Sequence, residues 1–556
     1  MMMHSAANDS EERELLSPST TAAGTTDCEL DCGASSRDED SGKQQLQRHK
    51  SALVWFGSLT AAFLLGMAFM SGVDWLRRPA DSPPPRQSWQ REGYTRAVPS
   101  LKMRQHHPSA AAAAAAAGGG PSVGHLYYFI QLTDIHLDPL YDPHTPPQQY
   151  CRTRQQQVIP DNASSSYVWP FVAAFGRYGC DSPMPLLESV LADARERWPS
   201  PAFVIVSGDS AAHSLGKEHR LLSISRVTDL VRRSFPNTTI VWVLGNDDCY
   251  DNYKLPLPAY KWTHELWRIW EADMPNDDHT RQGFLRGAYY SVDVAVGVGP
   301  SSRRVRVMSL NTIFYSKYFA WESAMGDDAE FDDDPGGQFA WMEHKLKEAA
   351  VLGLPVIMAL HIPMGFALSQ ISGKFTSEKE WHQHYADRFL RIVSAHNMTI
   401  LALLAGHLHK DITSLYPNPP VPMYTAPSVS PVYTNNPSYR VFPFRTNMPS
   451  QIGIRDMHTY VAPLYGTVDA LGTFGQSLQW QREYSFTEAY GVRDMSVSSI
   501  TRYMRNISTD AHTYNAWLSH RDGGVSFPAF YQTCIFTSQD ANALDKCVRG
   551  RIDIGE

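Results

Sequence analysis

The feature that most constrains this chain is a set of short apolar runs, each ending at side chains able to hold a metal ion. FIQLT leads to Asp134 and His136, FVIVS to Gly208 and Asp209, and IVWVL to Gly245, Asn246, Asp247 and Asp248. Later, VIMAL leads to His361, and LALLA to Gly406, His407, Leu408 and His409. Runs of this length rich in Val, Ile and Leu read as buried strands. With helical patterns between them, the sequence predicts strands at 126–133, 202–207, 240–244, 304–310, 356–360 and 400–405. It predicts helices at 186–197, 218–234, 337–352 and 378–396. Such alternation predicts an α/β sheet with helices on its faces, in which ligands gather beyond the carboxyl ends of strands. A single Asp-x-His after a strand is ordinarily a turn Asp and a surface His. Five such ends in one domain predict a dinuclear metal site.

The residue types suit that chemistry. Two divalent ions about 3.5–4 Å apart need a bridging carboxylate and several N and O ligands. Asp209 is the expected bridge. Neutral imidazoles of His136, His361, His407 and His409 would bind, and the Asn246 amide oxygen would do so without adding charge. A bridging water would lose its proton near neutral pH and attack phosphorus, while the cations offset charge growing on the phosphoryl oxygens. Ion identity stays open among Zn, Mn, Fe and Co.

The ordered set D-x-H, GD, GN-x-D, H and GH-x-H resembles the calcineurin-like metallophosphoesterase superfamily over most of residues 125–430. The resemblance implies a four-layer sandwich of two mixed sheets with helices outside. It also implies one ion held by Asp134, His136, Asp209 and His409, and a second held by Asp209, Asn246, His361 and His407. YGCDSP, SGDSAAH, SLNT, DPGGQFAW, HIP and APSVSPVYTNNP narrow the likeness to the acid sphingomyelinase-like and endopolyphosphatase branch. Protein phosphatases of the superfamily would carry Asp-Arg-Gly soon after the second motif, where this chain has Ser210, Ala211, Ala212 and His213. An N-terminal anchor directly before the phosphoesterase domain, without a saposin-like module, looks more like endopolyphosphatase.

The third position of GN-x-D is usually His in the sphingomyelinase-like members and Asn in endopolyphosphatases; here it is Asp247. An ionised Asp there would repel a polyanion, whereas a protonated one could donate a proton. The resemblance places His213, the His of GD-x-x-x-H, in the active site. It is the expected proton donor to the leaving oxygen, with a pKa lowered by neighbouring cations.

Beyond the catalytic segment, residues 1–50 are too polar to bury a core and are expected to be a disordered cytosolic tail. Residues 51–73 carry no charge and are long enough to span a bilayer as a signal-anchor helix. Flanking Lys and Arg are nearly balanced, so charge does not orient the span. The N-x-[ST] triplets at Asn162, Asn237, Asn397 and Asn506 follow it and Asn8 alone precedes it, which favours a glycosylated, lumenal C-terminal side. Glu11, Leu15 and Leu16 resemble an acidic dileucine sorting signal. The expectation is a single-pass type II membrane protein of a vacuole, lysosome or related acidic compartment. Pro, Ala and Gly tracts at 74–124 read as a stalk, followed by a catalytic domain at 125–475 and a helical region at 476–556.

Five cysteines follow the span, so they cannot all pair within one chain. Cys151 with Cys180 and Cys534 with Cys547 are the nearest pairs, the alternative being buried thiols; Cys249 is left unpaired. A net charge of −8 argues against a nucleic-acid partner. The leading expectation is a hydrolase of phosphoanhydride or phosphodiester bonds resembling endopolyphosphatase, acting on polyphosphate. Its rival is a sphingomyelinase-like phosphodiesterase of lipid or nucleotide diesters, and a third reading is an inactive ectodomain.

Overall fold

Each apolar run forms a strand in the computed structural model. The structure describes residues 126–521, apart from 146–149, 154–171, 256–259, 298–301, 321–331, 372–373, 417–418, 434, 446–452 and 465–477. The expected tail, span and stalk, Asn162, Cys534 and Cys547 therefore lie outside the described residues.

The first half contains β1 (Leu126–Leu132), α1 (Met184–Arg197), β2 (Phe203–Val206), α2 (Lys217–Ser234) and β3 (Thr239–Trp242). Then come α3 (Tyr260–Trp270), α4 (Asp278–Gly287), β4 (Tyr290–Val296), β5 (Arg303–Ser309), α5 (Gln338–Leu352) and β6 (Val356–Ala359). A hairpin of β7 (Phe366–Ile371) and β8 (Lys374–Lys379) precedes α6 (Gln383–Ala395), β9 (Ile400–Ala405), β10 (Ile412–Tyr416) and β11 (Val421–Thr425). The chain continues through β12 (Ser438–Arg445), β13 (Gly453–Ile454), β14 (His458–Val461) and β15 (Gln481–Ser485). It ends in α7 (Phe486–Ala489), α8 (Val497–Thr509) and α9 (Ala511–Arg521).

These strands build two mixed sheets, ordered β15-β14-β12-β1-β2-β3, with β13 beside β12, and β10-β11-β9-β6-β5-β4. The β1-β2-β3 and β5-β6-β9-β11 stretches are parallel, while β12, β4 and β10 run antiparallel to their neighbours. FVIV in β2 and VIMA in β6 are buried at every position, as expected for parallel strands covered on both faces. Side chains tie the sheets face to face: Gln131 Nε2 donates to the Ala405 carbonyl at 3.0 Å, and Ser309 Oγ to the Trp242 carbonyl at 2.8 Å. One buried cluster fills the space between sheets and helices. Helix α2 shows why its sequence folds this way, since Ile224, Val227, Thr228 and Val231 recur at helical spacing on its buried face.

Two expectations need correction. The helix expected at 378–396 starts only at Gln383, because Lys374–Lys379 pairs with Phe366–Ile371 as a strand. Buried Trp381 bridges to Ser316, and the Glu380 amide donates to the Gly365 carbonyl, so packing overrides a helix-forming stretch. Gln481–Ser485, expected within the helical C-terminal region, pairs with β14 and extends the first sheet. Among the described residues no helix is long and apolar enough to cross a membrane. Asn237 is exposed, while Asn397 and Asn506 are half-buried.

Candidate metal centre and proton donor

The expected ligands follow β1, β2, β3, β6 and β9, and strain collects in the turns after β1, β2 and β9. Asp134, His136, Asp209, His407 and His409 all take left-handed backbone angles, with φ of 48°, 43°, 53°, 70° and 55°. Non-glycine residues rarely adopt this conformation, and such outliers persist where the surroundings hold them. Here the hold is a set of backbone bonds: the Asp134 amide to the Gly208 carbonyl at 3.0 Å, His136 to Asp209 at 2.9 Å, and Ser430 to Asp134 at 3.0 Å. The motif glycines serve close approach. A Cβ on Gly245 would lie 2.1 Å from the Asp209 amide nitrogen, and one on Gly406 2.0 Å from Thr133 Oγ1.

The expected ligands come together. Asp134, His136 and His409 form one group, and Asp209, His361 and His407 another, with ligand atoms in each within 4.8 Å of one another. Asp209 Oδ2 lies 3.5 Å from His136 Nε2 and 3.1 Å from His361 Nε2, the position expected of a bridge. Asn246 Oδ1 lies 3.0 Å from His361 Nε2.

Tautomers decide what these nitrogens can do. His361 Nδ1 faces the Ser207 carbonyl at 2.8 Å and His136 Nδ1 faces the Ala211 carbonyl at 2.9 Å, so each Nδ1 carries a proton. In the neutral rings Nε2 is then a bare acceptor. Yet the atoms facing His361 Nε2 are also acceptors, Asn246 Oδ1 and Asp209 Oδ2. His136 Nε2 likewise faces Asp209 Oδ2 at 3.5 Å, and it lies 3.2 Å from His409 Nε2, a ring whose Nδ1 has no partner among the described residues to fix its proton. Converging acceptors repel unless a proton or a cation joins them, and this N/O donor set suits Zn, Mn or Fe.

Electrostatics agree. Burial, followed by repulsion from Asp248, pushes Asp209 up to about 7; burial, partly offset by His361 and reinforced by Asp209, pushes Asp134 up to about 6. Burial and neighbouring imidazoles hold His136 and His409 well below the usual histidine value. Asp247 is pushed up to about 7, by burial first and then, against His213, by Asp209. Asp248 braces two motif loops, its oxygens accepting from the Ala211 and Gly245 amides at 3.0 and 3.1 Å.

His213 stacks on His136 with ring centroids 4.1 Å apart, and its Nε2 lies 3.3 Å from the Tyr433 hydroxyl and 3.8 Å from Asp247 Oδ2. Its Nδ1 lies 2.9 Å from Asp181 Oδ1, and its amide donates to Asp181 Oδ2 at 2.9 Å. Burial would lower its pKa, but Asp181, then Asp247, outweigh burial and raise it to about 10. Cations were expected to pull this group down, and the opposing carboxylate of Asp181 was not singled out from sequence. Cys151 and Cys180 form a disulfide, while Cys249 is free and buried. The residue after each bridged cysteine holds His213: Asp181 as described, and Arg152, which donates to the His213 carbonyl at 2.9 Å.

Sequence reasoning also missed Glu380 and Tyr253, whose Oε2 and hydroxyl lie 3.4 and 3.3 Å from His407 Nε2. Glu380 follows β8, a strand the sequence did not predict, and Tyr253 lies in a loop, so spacing carried no signal. Asp181 stands within the YGCDSP segment, which could have marked it.

No family model matches the chain. It is 30% identical over 446 residues to acid sphingomyelinase-like phosphodiesterase 3b of Homo sapiens, covering 76% of this chain and 90% of that one. It is 28% identical over 410 residues to cyclic GMP-AMP phosphodiesterase SMPDL3A of Rattus norvegicus, covering 70% and 82%. Among solved structures, a 5'-nucleotidase precursor from Thermus thermophilus gives a TM-score of 0.32 at 12% identity over 59% of this chain and 52% of that one, too loose to carry an argument. The extent and identity of the match to phosphodiesterase 3b settle the family: the chain belongs to the acid sphingomyelinase-like phosphodiesterases and is a phosphoric ester hydrolase.

Proposed function

We propose that the chain hydrolyses phosphodiesters, of lipid or nucleotide type, at a dinuclear metal centre. The observation that carries this reading is the convergence of acceptor atoms on Asp209, with His136 on one side and His361 and Asn246 on the other. Two divalent ions held there would lower the pKa of a bound water and offset charge on the phosphoryl oxygens.

The protein's own groups supply the rest. Carbonyls of Ala211 and Ser207 fix the His136 and His361 tautomers, so that both Nε2 atoms point inward. His213, oriented through Nδ1 by Asp181, presents Nε2 as the proton source for the departing alkoxide. Tyr433 lies against both His213 and His409, on the side from which a leaving group would be protonated.

The relatives' names favour a phosphodiesterase over the endopolyphosphatase expected first from sequence. Asp181, Asp247 and Glu380 around the ligands also oppose a long polyanion more than a singly charged diester. The test is hydrolysis of cyclic GMP-AMP, sphingomyelin, bis-p-nitrophenyl phosphate and long-chain polyphosphate by the metal-loaded full chain. Cleavage of at least one natural diester faster than polyphosphate is expected; polyphosphate as the best substrate would overturn the reading.

We also propose a lumenal catalytic domain anchored through residues 51–73, which the Cys151–Cys180 bridge and the sequons support. Endoglycosidase should lower the apparent mass of the intact chain. Full digestion of the domain by protease added outside sealed microsomes would reverse the orientation.

A further inference from the structure

Asp247 is not accounted for by the ligand set above. It is fully buried, and its Oδ1 has no hydrogen-bond partner. Its Oδ2 accepts from Asn246 Nδ2 at 3.0 Å, while 3.8 Å from His213 Nε2 is too long for a hydrogen bond. Its amide donates to Asp209 Oδ1 at 2.8 Å, which ties its position to the bridging carboxylate. A carboxylate oxygen of Asp247 lies within 4.8 Å of ligand atoms of both His136 and Asp209. A buried carboxylate oxygen without a donor is costly and needs a counter-charge.

We infer that Asp247 is a further carboxylate ligand of the ion held by His136 and Asp209, and that it biases this position toward a hard, oxygen-preferring cation such as Mn²⁺ over Zn²⁺. The inference rests on the dinuclear reading. Asp134, Asp209 and Asp247 would bring three carboxylates to two divalent ions, where the expected ligand set supplies two. Carboxylate oxygens suit Mn²⁺ and Mg²⁺, whereas a more imidazole-rich set suits Zn²⁺. The extra charge holds the ion more firmly and leaves less positive charge to act on the substrate.

The experiment uses the purified full chain, stripped with chelator and titrated by calorimetry with Mn²⁺ alone and with Zn²⁺ alone. For Asp247→Asn, Mn²⁺ affinity at one position should fall by about tenfold or more, the scale seen when groups supporting a metal site are lost, with a smaller change for Zn²⁺. Asp247→Ala should show the same loss. Unchanged affinity and selectivity in both variants would overturn the inference while leaving the dinuclear centre intact; a wild-type chain that binds neither ion would overturn both. Folding is controlled by melting the metal-free proteins. Asp247→Asn should melt no lower than wild type without metal, because an unpartnered buried charge has been removed, and should gain less from added Mn²⁺. A lower metal-free melting temperature with an undiminished Mn²⁺ gain would make Asp247 a structural group and defeat the inference.

Discussion

At the strand ends Asp134 and Asp209 are buried among histidines and pushed up to about 6 and 7. Across the first sheet, Asp411 is buried too, but it pairs with Arg440 and accepts from Thr459 Oγ1 at 3.1 Å and the Tyr484 hydroxyl at 2.7 Å. Burial would lower the Arg440 pKa, and Asp411 outweighs burial and raises it. Nearby, Asp456 is held down at about 2: burial acts against this, and bonds from His458, Ser485 and Thr487 prevail. Asp411 and Asp456 thus balance their charge with groups of the chain, while Glu483 beside them is pushed up to about 8 by burial and then by Asp411. At the strand ends the ion-pair partners of Asp134 and Asp209 among the described residues are histidines alone, which marks a candidate cation site. A buried cluster left unbalanced by its own sequence is the physical mark of a ligand site.

The contrast can be broken most severely at Asp209. Asp209→Asn should abolish measurable diester turnover and weaken metal binding by at least about 100-fold, the upper end for lost groups behind a metal site. Metal-free, the variant should be at least as stable as wild type. The sign follows from the raised pKa: an Asp at about 7 in the folded state, against about 3.9 unfolded, makes the metal-free protein lose stability as pH rises from 4 to 7. Normal metal content with unchanged rate in Asp209→Asn would remove the bridge.

His213→Ala sharpens the comparison, because it takes away chemistry without taking away a ligand. An alkyl diester should slow by about 10²–10⁴-fold and a p-nitrophenyl ester far less, since p-nitrophenolate departs without a proton. Equal losses on both substrates, with metals bound, would reduce His213 to positioning.

Asp411→Asn should act in the opposite sense to Asp209→Asn. Stranding Arg440 in the first sheet should cost about 3–5 kcal/mol whether or not metal is present, with turnover per folded molecule retained. A destabilisation that metal cures would place Asp411 with the strand-end cluster.

The smallest effect is expected at Asp456, whose oxygens accept from the Thr487 amide at 3.0 Å and Ser485 Oγ at 2.5 Å and so join β14 to the start of α7. Asp456→Asn should cost about 1–2 kcal/mol at neutral pH. Because the folded pKa lies below the unfolded one, that contribution is full above pH 4 and lost as pH falls toward 2. Denaturant melts of both proteins across that window should converge at the acid end.

Sequence revealed the parallel strands and the ligand-bearing turns for one reason: a strand buried on both faces is apolar throughout, and the polar residue that ends it stands out. Ile400–Ala405 falls on its expected bounds, and β2 and β3 within two residues of theirs. Lys374–Lys379 was illegible because this short polar strand is set by pairing with the adjoining Phe366–Ile371 rather than by an apolar run of its own. Asp181 and Glu380 were hidden for a related reason, as groups placed by tertiary contact beside His213 and His407. The Asp411–Arg440 pair joins residues 29 positions apart and carried no local signal.

The central claim, that the strand-end cluster is completed by cations, is tested most directly by melting the chelated full chain with and without added Mn²⁺ or Zn²⁺ from pH 4 to 8. The account predicts that metal raises the melting temperature by an amount that grows with pH up to about 7, as Asp134 and Asp209 would otherwise ionise unpaired. A melting temperature that neither ion shifts at any pH would contradict it.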